Sequence, residues 1–592
     1  DGANYNVGLG VDVFAALTTG DHNVVLGYQA GTAVTTGIEN TIVGARAGAA
    51  LTTGQENAVF GQQALSADTA GNHTTAIGHG ALFNQNFTSS TDSNNTAVGF
   101  SAMAANTTGT LNVAVGASAL TANTTGNRGV AVGTSALVAN TTGTENTALG
   151  YLAMDANTTG AANVGVGSGA LGANTTANYN VGVGVNALTA NTTGASNVAV
   201  GSFSLDANTT GDYNVAIGSY ALSAATTADK NVAVGPGAGQ LITTGASNVA
   251  IGADALDANT TADNNTAVGK DALGANTTGS GHVAVGKGAL LANTTSTDNT
   301  AVGSLSLDAN TTGSNNTGLG HGSLSANTTA SSNTAVGFYS LLSNTTGTAN
   351  DAFGYTTLDA CTTGYGNAAF GGDALGSLTT GTLNTAIGVN AGNSITTGVR
   401  HIIIGQAAAT SLVGGNDCIA IGEGTNFSST TAASEIVLGN DVTCTGAGNF
   451  TFGSGTSDSN IANGATSITA PSDIRLKEDI QDEKIGLNFI NDLRPVTFRW
   501  KKAKDVPSEM KSHNPNSEER VMNGKYNHGF IAQEVKEVID NYDLKDGFDM
   551  WTEDEADGRQ RIGEASLMPL MVKAVQELSA EVEELKKQLE NK

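Results

Sequence analysis

The stretch NVAVGASALTANTTG runs from Asn112 to Gly126, and a close copy begins three residues later. Its spacing sets the phase of most of the chain. The glycine that ends each NxAVG phrase falls at Gly10, Gly27, Gly44, Gly61 and Gly78, then at Gly99, Gly116 and every 17th residue to Gly439, giving 26 units. One four-residue insertion, near Asn84–Ser93, interrupts the series. The residue before this glycine is large and apolar, as in Val115, Leu149, Ile217 and Phe370. It follows a small residue, which itself follows Val or Thr in most units. Apolar, small, apolar is a period of two, so each phrase predicts a short strand. Seventeen residues are too few for a helical hairpin, and the unit reads as one coil of a β-solenoid.

The second half of the unit supports this reading. Most coils place Leu four residues past the glycine, as at Leu120 and Leu256, while a few place Gly there: Gly31, Gly48, Gly239 and Gly392. In those coils the Asn three positions later becomes Val34, Leu51, Ile242 or Ile395. The pattern predicts one core slot per coil, filled from either position. A coil that buries about three aliphatic side chains cannot offset the ordering entropy of 17 residues, so stacking must supply the stability. At about 4.8 Å per strand, 26 coils make a rod on the order of 125 Å long. Asn opens most strands (Asn95, Asn112, Asn197, Asn333), and an in-register stack predicts a side-chain ladder.

Composition limits the chemistry available. Before Ser472 there are 6 Lys/Arg against 26 Asp/Glu, and from Ser472 onward 19 against 26. The repeat region is therefore consistently acidic, which argues against nucleic acid as a partner because phosphate contacts need clustered cations. Cys361, Cys418 and Cys444 have neither disulfide nor metal-ligand spacing, and no cofactor or metal site is expected. No apolar run reaches membrane-spanning length, so no membrane insertion is expected. The chain starts at Asp1 already in step with the repeat, which reads as a piece of a longer protein. Gly167–Gly172 spells a dinucleotide-binding pattern without the βαβ context that would give it meaning. The Thr-Thr pairs sit beside a glycine, as turn residues do, which weakens an ice-binding reading. A polysaccharide-degrading site needs paired carboxylates in a cleft, and only the insertion near Phe87–Asn94 departs enough from the repeat to hold one.

NxAVGxxALxAxxxG, over roughly residues 4–440, resembles the head repeats of trimeric autotransporter adhesins. That resemblance implies a left-handed parallel β-roll in a three-chain assembly. The adhesin units are usually a few residues shorter than 17.

Composition changes near residue 441. A Gly/Ser-rich neck (441–471) leads to a region with four distinctive segments: SDIRLKEDI from Ser472, LRPVTFRWK from Leu493, HGFIAQEVKEV from His528 and SLMPLMVKAVQEL from Ser566. They predict a small α/β domain (472–566) and a C-terminal helix (567–592). In that helix Met568, Met571, Val575, Leu578, Val582, Leu585 and Leu589 alternate three and four apart, the a/d seam of a coiled coil. A seam this short should pair only when chains are already held together.

Together the four segments resemble the intramolecular chaperone domain at the C-termini of phage tail spikes and tail fibres. The resemblance implies a homotrimer, assisted folding of the upstream β-structure, and self-cleavage by a Ser and a Lys within SDxRLK, here Ser472 and Lys477. The cut would fall between Pro471 and Ser472. His528 is a candidate to assist or only to orient the site. An amine acts as a base only when neutral, a state that burial favours. Five apart, Ser472 and Lys477 do not align on an ideal helix or strand, so a turn or a neighbouring chain must bring them together. The implied role is structural: a virion tail fibre attaching to an unidentified host cell-surface receptor, joined to other tail components. The alternative is an extracellular adhesin or filament that keeps its C-terminal domain uncleaved.

Overall fold

The computed structural model describes residues 2–465, 468–469, 472, 474–522, 524–544, 550–553 and 558–592. Two compact units divide the chain, Asp1–Pro471 and Ser472–Lys592. The first is an all-β parallel solenoid. Each of the 26 phrases forms one short strand, and Val113–Val115 pairs in parallel and in register with the strands 17 residues before and after it, the step lengthening to 21 residues only from Thr75 to Thr96 across the insertion. The remaining sides of each coil are tied to their neighbours as well. Leu120 donates its N–H to Ala136 O at 3.0 Å, Thr124 to Thr141 O at 2.9 Å and Arg128 to Thr110 O at 3.0 Å.

The middle residue of the strand, small in most coils, faces the interior. Ala114, Ala119 and Leu120 are buried, whereas Val113 and Val115 point outward. Other coils bury Val25, Ile42, Val59, Ile403 or Val437 at the middle strand position. In the coil of Ala114, one Leu and two Ala fill the space between its sides. The substitution pattern has the same cause. In the coil of Gly239, an added Cβ would meet both Ile242 Cδ1 and Leu222 Cδ2 at 3.0 Å, so the side chain at 242 occupies the space left by the missing Leu. Leu120 itself sits at a φ of 51°, a left-handed conformation costing about 1–2 kcal/mol for a residue with a Cβ. Its burial and its coil-to-coil hydrogen bond offset that cost.

This sharing of space predicts a rescue. Leu188→Gly is expected to cost about 3–5 kcal/mol, and adding Asn191→Ile should recover most of it, as read by thermal unfolding. If the double variant melts no higher than Leu188→Gly alone, the two positions do not fill one slot.

Two Asn ladders run through the interior. At the strand entrance, Asn112 accepts the Gly129 N–H on Oδ1 at 2.8 Å and donates through Nδ2 to Gly126 O at 2.9 Å. The second ladder, absent from the sequence reading, uses Asn123, which donates to Asn106 Oδ1 at 2.9 Å and to the same Gly126 carbonyl at 3.1 Å. Threonines add a third column through hydroxyl bonds such as Thr124 to Thr141 O at 3.1 Å. Buried amides thus satisfy the backbone groups that the tight corners leave unpaired. Where His282 and His401 replace the first-ladder Asn, burial pushes both imidazoles toward the neutral form.

The sheet continues beyond Gly439. Phe450–Ser454 adds one more parallel strand after a shorter, 14-residue step, and Ser457–Ile461 then folds back antiparallel on it. Among the described residues no helix is long and apolar enough to cross a membrane.

The second unit is small and mixed. Helix α1 (Leu487–Asp492), helix α2 (Ala532–Asn541) and helix α3 (Leu567–Glu590) accompany two-stranded pairings, among them Val496–Phe498 with Asn527–Gly529. Its core gathers Phe489, Leu493, Val535, Ile539, Met550, Leu567 and Leu570. Glu577 on α3 accepts the Leu487 N–H at 2.8 Å and so caps α1. Within α3, Leu567 and Leu570 belong to this core and Ala574 is buried, while all seven residues of the heptad seam are exposed.

Candidate functional site

Ile474–Leu476, within the SDIRLK segment, form the first turn described in the second unit. This single 3-10 turn closes with a bond from Lys477 N–H to Ile474 O at 3.2 Å. This wraps the chain so that Lys477 Nζ lies 2.7 Å from Ser472 Oγ and donates to it. The turn therefore brings the two residues together within one chain. Both are exposed. The separation is in the range that proton transfer from the hydroxyl requires. As an ammonium, however, Lys477 can only donate, and a base must accept. Pro471, on the other side of the expected cut, lies outside the described residues.

His528 is placed elsewhere. It sits mid-strand opposite Thr497, with Nδ1 3.5 Å from Thr497 Oγ1, and lines a shallow cavity of about 530 Å³ with Phe498, Trp500 and Phe530. No contact joins it to Ser472 or Lys477 among the described residues. The structure shows a different link between the quoted segments. Arg494 of LRPVTF makes a two-point ion pair with Glu534 of FIAQEV, one bond at 2.9 Å, and the guanidinium holds the carboxyl below its usual range. Tyr542 at the end of α2 donates to Asp492 of α1 at 2.7 Å. Both residues of the ion pair stand in segments the sequence singles out, but 40 positions apart nothing local signals that they meet.

Order, spacing and turn geometry converge on one comparison. Residues 472–544 match the family described as chaperone of endosialidase. The matched chaperone segment includes Ser472, Lys477, His528, the Arg494–Glu534 pair and helices α1 and α2, and stops short of α3. No curated protein and no solved structure matches the chain. A β-solenoid of 26 coils followed by a chaperone segment is consistent with a tail fibre that carries a C-terminal chaperone domain. Three or more clustered His, Cys, Asp or Glu able to hold a metal do not occur among the described residues. Cys361 is buried and its thiol is pushed up to about 11, which leaves it unreactive.

Proposed function

We propose that this chain is the shaft of a trimeric phage tail fibre or tail spike. In this reading its C-terminal chaperone segment drives assembly and then releases itself by cleavage before Ser472. The observation that carries the reading is the outward apolar column of the solenoid. Val115, Leu149, Val200, Ile217, Ile251, Phe370 and Leu438 all occupy one position of the coil, and all are exposed in the single chain. Phe353 and Phe370 stack in it with centroids 4.7 Å apart. These side chains recur coil after coil along one line of the solenoid, and an apolar patch drawn out in this way marks an interaction surface. Parallel copies of the rod would cover it, each column against the others. The exposed seam of α3 offers a second surface of the same kind, and a lone helix has no reason to keep seven apolar residues in water.

The role that follows is attachment of a virion to a host surface, with the repetitive shaft setting the reach. Sedimentation velocity tests the assembly. Wild type is expected at three chains per particle, and Val200→Asp with Ile217→Asp should reduce it to single chains that keep the β-sheet circular dichroism. A wild type that sediments as one chain at micromolar concentration ends the trimer reading.

A further inference from the structure

The residue after each coil glycine forms its own outward column, one side chain per coil. Over five successive coils it reads His321, Phe338, Tyr355, Gly372, Val389. The first three rings stack along the rod axis. Centroids lie 5.4 Å apart from His321 to Phe338 and 5.6 Å from Phe338 to Tyr355, the latter pair within 5° of parallel. Tyr355 is 61% exposed. The next ring position is empty, because Gly372 is the one glycine of this column in all 26 coils.

Neither backbone nor packing calls for glycine there. Gly372 is not among the residues of positive φ, and an added Cβ would meet only the Tyr355 carbonyl oxygen, at 3.8 Å. What the glycine leaves is a slot. Tyr355 and Val389 stand two coils apart, about 9.6 Å at the spacing of stacked strands, which leaves room for one ring between them. At the rim, Asp373 accepts the Thr356 hydroxyl on Oδ1. Its Oδ2 accepts no bond among the described residues. Asn390, the next residue in the same neighbouring column, is tied by its N–H to Gly372 O at 2.9 Å.

We propose that this slot binds the pyranose ring of a neutral saccharide. The face of an aromatic ring is the negative side of its quadrupole and suits the polarised axial C–H bonds of a sugar. Val389 closes the opposite side, and Asp373 and Asn390 meet the hydroxyls, the arrangement of an apolar site with a few placed polar groups. The same carboxylate, on a shaft with 6 cations against 26 anions, disfavours phosphate, sulfate and acidic sugars. The inference deepens the attachment role above and rests on it only for the source of the sugar. Repetition of the site in a multichain assembly adds avidity to a weak single contact.

Saturation-transfer NMR on the full chain tests it, with the α- and β-methyl pyranosides of glucose, galactose and mannose as probes. At least one is expected to bind wild type, and Tyr355→Ala and Gly372→Val to weaken it tenfold or more. Ser304→Val, in the same column, should leave it unchanged. Gly372→Val should also keep the wild-type melting temperature, since the space is open. The proposal is overturned if none of the six binds, or if Gly372→Val binds as wild type does. It is equally overturned if hydroxyl-radical footprinting finds Tyr355 covered in the assembled protein, for the slot is then a contact between copies. A monomeric or uncleaved chain would leave the sugar result standing, so failure of the fibre reading is told apart from failure of this one.

Discussion

Freshly purified protein carrying Ser472→Ala is expected to remain one 592-residue chain, while wild type releases the 121 residues from Ser472 to Lys592. The proposed reaction is an acyl shift. Ser472 Oγ attacks the Pro471 carbonyl carbon as its proton passes to a neutral Lys477 Nζ, and the amide C–N bond breaks as that proton moves to the departing Ser472 nitrogen. Water then hydrolyses the ester, leaving a carboxylate on Pro471 and restoring the hydroxyl. A positioned base contributes about 10²–10⁴-fold, so Lys477→Met should slow cleavage by that order. Lys477→Arg is the sharper variant: guanidinium still donates to Ser472 Oγ but cannot accept a proton. If Lys477 only positions the serine, Arg should preserve cleavage; if it is the base, Arg should fail as Met does. Intact-mass analysis over time reads all four proteins, and hydroxylamine should trap the ester. The lysine is exposed in the single chain, so desolvation by a neighbouring chain would favour the neutral amine. Wild type should therefore cleave faster as concentration rises through the assembly range. A wild type that stays whole would make the segment a permanent trimerisation cap and favour the adhesin reading.

Gly201→Ala should be a strongly damaging single-methyl change in the shaft. Gly201 has a φ of 136°, which residues with a Cβ rarely adopt, and an added Cβ would stand 2.6 Å from the carbonyl atoms of Gly218 in the next coil. Neither strain can relax without opening the stack, and the cost should exceed about 3 kcal/mol. Because each coil touches only its neighbours, the damage stays local. Hydrogen exchange should rise in Val198–Val200 and Val215–Ile217, with new proteolytic cuts nearby and unchanged protection five coils away. Exchange indistinguishable from wild type would show that the close approach at Gly201 is not rigid.

Much of this architecture was legible in the sequence, and particular residues show where legibility ended. The phase of Gly10 to Gly439 carried the coil count because the conformation of that glycine tolerates no substitute. The exchange of Leu for Gly239 and of Asn for Ile242 showed the shared core slot. Which side of the strand faces inward was not readable, since alternation in Val113–Ala114–Val115 marks two faces without naming the core. The fold decides it: the middle residue of each phrase turns inward, Ala in most coils and Val25, Ile42, Val59, Ile403 or Val437 in others. The second ladder stayed hidden because Asn123 beside Thr-Thr-Gly has the composition of a turn, and its partner Asn106 is 17 residues away. The approach of Lys477 to Ser472 depends on a 3-10 turn that no periodic template describes. The Arg494–Glu534 pair depends on two elements folding against each other.

A parallel sheet of this length has the hydrogen-bonding pattern of an amyloid protofilament, in which any exposed terminal strand can recruit another molecule end to end. The reversal at Ser457–Ile461 changes what that terminus offers. An antiparallel last strand no longer presents the slanted, evenly spaced donors and acceptors onto which a further parallel coil would dock. The C-terminal edge is thereby made a poor template for polymerisation, and the number of coils in the filament remains a property of the gene.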